Sequence, residues 1–125
     1  MTNDTKHQVL YALYSEYQKD VPDMRLVDWH SVDISELAFN AALLKLQNEG
    51  YIQGLITNPP NEMNARKLYA VKRDHVFLTG KGVEYVEQLA GIEASETASA
   101  KIKRLAKQAG IFGMEILKDF ILSQI

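Results

Sequence analysis

The stretch "NEGYIQGL", residues 48–55, comes directly after the leucine-rich "ELAFNAALLKLQ" of residues 36–47, and its reading decides the fold. Good helix formers fill the leucine-rich run, and Asp33 or Ser35 can cap it, with Glu36 three residues after Asp33 as in a capping box. Gly50 then supplies the left-handed position that ends a helix, which other residues adopt only at a cost. The next residues, "YIQGLIT", are aromatic and branched, so the helix feeds straight into an extended run. The prolines of "NPPNEMNA" break that run, and "RKLYAVK" resumes it, which predicts a hairpin with a long polar tip. "VFLTGKGVEYVEQLAG" adds a short strand, a Thr79 cap and a helix presenting Val83, Val86 and Leu89 on one face up to Gly91.

Upstream, Val9, Leu10, Leu13, Tyr14 and Tyr17 recur at helical spacing, which predicts a first helix over about residues 5–20, capped by Asn3 or Thr5 and stopped by Pro22. "DMRLVDWHSVD" reads as a brief extended piece and about one helical turn around Asp28 to Ser31. Downstream, the small and polar residues 92–98 read as a linker, and residues 99–125 as an amphipathic helix with Ile102, Leu105, Ala109, Phe112, Ile116 and Phe120 in one stripe. Gly110 and Gly113 interrupt its helix propensity. The order helix, short helix, capped helix, hairpin, helix predicts an α+β fold: a winged helix-turn-helix domain over residues 1–91 with a small antiparallel sheet, plus an extra C-terminal helix.

"YIQGL" after the leucine-rich helix, "FLTGKGVEYVEQL" after the hairpin and "EILKDFIL" near the end resemble the corresponding parts of the YjcQ family, small bacterial and prophage proteins. The likeness runs over nearly the whole chain from Lys6; the long wing tip and "AGIFGM" depart from it. The resemblance implies a winged-helix fold and a phage-associated setting. It brings no catalytic residues.

With 46% apolar and 24% charged residues, the 125-residue chain has the makeup of one globular domain. No run reaches the roughly 18 apolar residues that cross a bilayer, and "MTNDTKHQ" lacks the apolar core of a signal peptide, so a cytosolic protein without a membrane partner is expected. The absence of cysteine excludes disulfides, thiolate metal sites and cysteine nucleophiles. The formal net charge of -2 excludes a wholly basic surface, but residues 51–75 carry four bases against two acids, so an anion-binding face belongs there.

In such a fold the leucine-rich helix would enter a DNA groove. Its Glu36, Asn40 and Gln47 fall within about 40° of one another. Asn40 and Gln47 suit adenine edges, whereas Glu36 repels phosphate, so the face reads either as a base reader or as a solvated surface. Arg66 and Lys67 flank the wing tip and Lys72 and Arg73 close the hairpin, as phosphate contacts or as charges guarding a sheet edge. In the last helix Leu105, Phe112, Ile116 and Phe120 would bury against their copies in a homodimer, or fold back on the first helix; Lys101, Lys103, Arg104 and Lys107 form a second basic stretch or its wet face.

Asp28, His30 and Ser31 are too close in sequence for a triad, and His7, His30 and His75 lack ligand spacing, so neither catalytic residues nor a metal is expected. "TGKGV", with Lys81 its one cation, lacks the frame of a phosphate loop; Thr79 reads as a helix cap, and no cofactor is expected. The leading expectation is a non-enzymatic nucleic-acid-binding or regulatory protein. The alternative is a phage-associated interaction or structural module that does not bind DNA.

Overall fold

Helix α1, Thr5–Tyr17, is the axis of the molecule, with Val9, Leu10, Tyr11, Leu13 and Tyr14 each at most 1% exposed. It is wrapped on nearly every side, which is why its sequence carries apolar residues beyond a single stripe. Its cap is Asp4, between the two candidates read from sequence, accepting from His7 N at 2.9 Å. That backbone bond, then the His7 ring, holds the Asp4 carboxyl below its ordinary range.

The computed structural model describes residues 3–109 as four α-helices and two short antiparallel ladders, an α+β arrangement. After α1 comes a short 3-10 turn, Met24–Leu26, and hydrogen-bonded turns through residues 28–33. Helix α2, Glu36–Asn48, is capped by Ser35, whose hydroxyl accepts from Ala38 N. Asp33 forms no capping box; it sits at φ 53, in the turn that precedes the helix. Phe39, Ala42, Leu43 and Leu46 are buried in the core, whereas Leu37 is half-buried. Gly50, at φ 84, lets Tyr51 N reach Leu46 O and closes the helix as expected.

Strand β1, Ile52–Gln53, pairs with β4, Phe77–Leu78; β2, Ile56–Asn58, pairs with β3, Ala70–Lys72. The two ladders are one hairpin interrupted. Partner numbers sum to 130 in the first (Ile52 with Leu78) and to 128 in the second (Ile56 with Lys72), so two extra residues bulge from the returning chain. Gly54 stands opposite the bulge at φ 90, where a Cβ would overlap the carbonyl oxygen of His75. "RKLYAVK" is extended only in its second half. The Asn64 side chain accepts from Arg66 N and turns Ala65–Lys67 into a 3-10 turn, lengthening the hairpin tip.

Helix α3, Gly80–Ala90, starts at Thr79, whose hydroxyl accepts from Gly82 N, and ends at Gly91 with φ 66. Helix α4, Ala98–Ala109, packs within the same core. Of residues 92–98, 92–97 connect α3 to α4, with Ile92 buried and Thr97 Oγ1 accepting from Ala100 N, and Ala98 already belongs to α4. Leu105, a candidate self-association contact by its sequence, is 1% exposed inside its own chain. Phe112, Ile116, Phe120 and the two late glycines lie outside the described residues. Tyr14 and Lys101 both donate to Glu87 Oε2 at 2.8 Å, tying α1, α3 and α4 together. Burial, then the Glu87 bond, holds the Tyr14 phenol far above its ordinary range, so it remains a donor. No helix among the described residues is long and apolar enough to cross a membrane.

Candidate nucleic-acid interface

The polar face of α2 is turned toward the hairpin, and its side chains are engaged there. Where the bulge separates the two ladders, Leu55 lacks a strand partner, and a buried amide left without one is costly. Gln47 supplies the missing bonds: Leu55 N donates to Gln47 Oε1 at 2.9 Å, and Gln47 Nε2 donates to Leu55 O at 3.1 Å. At the far end Arg73 Nη1 donates to Asn40 Oδ1 at 2.8 Å, with Glu36 Oε1 at 4.0 Å. The Arg73 guanidinium also lies 5.1 Å from the centroid of the Trp29 ring, a cation–π contact.

Both side chains expected nearest the bases are therefore committed inside the protein; Asn40 is only 9% exposed. The physical reason is the path of the hairpin, which returns along α2 and brings unsatisfied groups of its own. Arg73, expected on phosphate, is half-buried in the same fastening.

The other three hairpin cations remain outside. Arg66 and Lys67 occupy the 3-10 turn and Lys72 ends β3; all three are exposed, and among the described residues none makes an ion pair. Tyr69 stands among them, 77% exposed, a residue that composition alone did not single out. The signal was an aromatic residue, Tyr69, set between Lys67 and Lys72 on one hairpin arm. Two acids are near in sequence: Glu62, which accepts from Asn64 N, and the exposed Asp74, two residues after Lys72. The hairpin tip lies along α2, and two clefts of about 340 Å³ and 680 Å³, both lined in part by Met63, open between them.

The remaining candidates resolve into structure. Ser31 Oγ donates to Leu26 O and accepts from Asp28 N, closing a turn, while His30 is exposed beside Asp28. His7 bridges Asp4 Oδ1 and the Tyr85 hydroxyl, each at 2.7 Å, and Tyr85 stacks on Tyr51 at 4.5 Å. This cluster joins α1, the end of α2 and α3. Among the described residues no group of histidines and carboxylates is placed to hold a metal ion. On α4, Lys101 is bound to Glu87 and the exposed Arg104 to Glu96, while Lys103 and Lys107 are exposed and, among the described residues, outside any ion pair. The chain matches no protein-family model, no curated protein and no solved structure.

Proposed function

We propose that this is a non-enzymatic winged-helix protein that holds the phosphate backbone of nucleic acid with its wing, and not with the helix that would ordinarily read bases. The observation that carries the reading is the division of the hairpin's polar groups. Asn40, Gln47 and Arg73 fasten the wing to α2, while Arg66, Lys67 and Lys72 stand exposed and unpaired among the described residues. A fastened hairpin presents cations at fixed spacing, so less ordering is needed when phosphate binds. With Asn40 and Gln47, the two base-reading candidates of α2, both bonded inside the protein, binding is indifferent to sequence.

Three phosphate contacts give a logarithmic salt slope of about −2.7 on duplex, so affinity falls roughly 40-fold between about 50 and 200 mM salt, from a dissociation constant in the micromolar range. Titration of the protein into labelled random-sequence oligonucleotide at the two salt concentrations tests this. Absence of binding at the lower salt contradicts it and favours a second reading, a phage-associated interaction module. That reading rests on the half-exposed Met63 and Ile56 beside the two clefts of the wing, an apolar surface suited to a protein partner.

A further inference from the structure

We infer that the wing binds an unpaired strand in preference to a duplex, with Tyr69 stacking on a base between the phosphate contacts; the inference rests on the nucleic-acid reading of the wing. Tyr69 is the most exposed aromatic side chain of the hairpin, yet its backbone is held, with Tyr69 N donating to Asn58 O at 3.0 Å at the end of the second ladder. The ring therefore projects from a fixed point.

It stands two residues after Lys67 and three before Lys72, the combination of cations and an aromatic face that single strands require. Beside it opens a cleft of about 300 Å³, whose lining includes Leu37, Leu68 and Val71 together with Glu36 and Asn40. A duplex keeps its base faces stacked and offers this surface phosphates alone. An unpaired strand offers phosphates to Arg66, Lys67 and Lys72 and a base face to Tyr69. No side chain on the closed face of α2 compensates for that difference in a duplex, because Asn40 and Gln47 are already bonded.

Fluorescence anisotropy with labelled oligothymidylate, oligouridylate and duplex DNA, each of about 15 nucleotides, tests the inference. The wild-type protein is expected to bind both single strands more tightly than duplex. Tyr69→Ala is expected to weaken single-strand binding by roughly tenfold or more and to leave duplex binding unchanged, while Tyr69→Phe, which keeps the ring, stays within about twofold of wild type. Equal binding of duplex and single strand together with a neutral Tyr69→Ala overturns the stacking role and leaves the backbone reading intact. No binding to any of the three overturns both.

Discussion

Arg66→Glu combined with Lys67→Glu is expected to weaken oligonucleotide binding at least tenfold at about 50 mM salt, and to flatten the logarithmic salt slope by about two units. Each reversal removes one released counterion and adds a repulsion. The pair stands on the 3-10 turn of the wing tip, whose backbone is held by Asn64 and not by the two charged side chains. Both are exposed, so stability should change by no more than about 0.5 kcal/mol for each, and thermal unfolding should be nearly that of the wild type. A loss of binding then reports the interface and not the fold. Lys103→Glu with Lys107→Glu, the same change of charge on α4, serves as the control and should cost less than about threefold. Equal losses in the two double variants would mean that net charge, and not the wing, governs binding.

Leu105→Ala is expected to lower unfolding stability by about 3 kcal/mol, measured by urea denaturation. The side chain is 1% exposed and sits with Ile102 and Ala109 in the core that α1 and α3 build. Removing three carbons from a packed site costs their transfer free energy and the cavity left behind. The loss should be the same at low and high protein concentration, because the contacts lie within one chain. A midpoint that moves with protein concentration would instead place Leu105 between two copies. Binding to oligonucleotide, measured where the variant is folded, should be unchanged, since the wing is on other elements.

The sequence made α2 legible through agreement of independent signals: leucine period, a Ser35 cap and a Gly50 stop all mark one segment. Thr79 and Gly91 bound α3 in the same way. The hairpin was legible as two runs, but its bulge was not, because a two-residue change of register leaves the alternation of side chains intact. Gln47 and Asn40 misled for a related reason: a polar side chain bonded to water and one bonded to a passing backbone have the same sequence signature. Gly54 was the available clue. A glycine in mid-strand marks close backbone approach or a bulge, and an interrupted ladder needs donors and acceptors from elsewhere, here from Gln47. Residues 92–98 read as a linker from their small polar side chains; within them Ile92 is buried and Thr97 Oγ1 bonds the first turn of α4.

The pattern of free and fastened cations also separates the two faces of the hairpin by role. Arg73, over Trp29 and bonded to Asn40, ties the hairpin to α2. The exposed Arg66, Lys67 and Lys72 contribute little to the fold and are free to meet a ligand.

Backbone amide shifts of nitrogen-15-labelled protein, tracked through a titration with oligothymidylate, locate the contact directly. Perturbations gathered at residues 64–72, with the bonded face of α2 unmoved, are the predicted result. Shifts confined to α4 around Lys103 and Lys107, with the wing amides silent, would contradict binding by the wing.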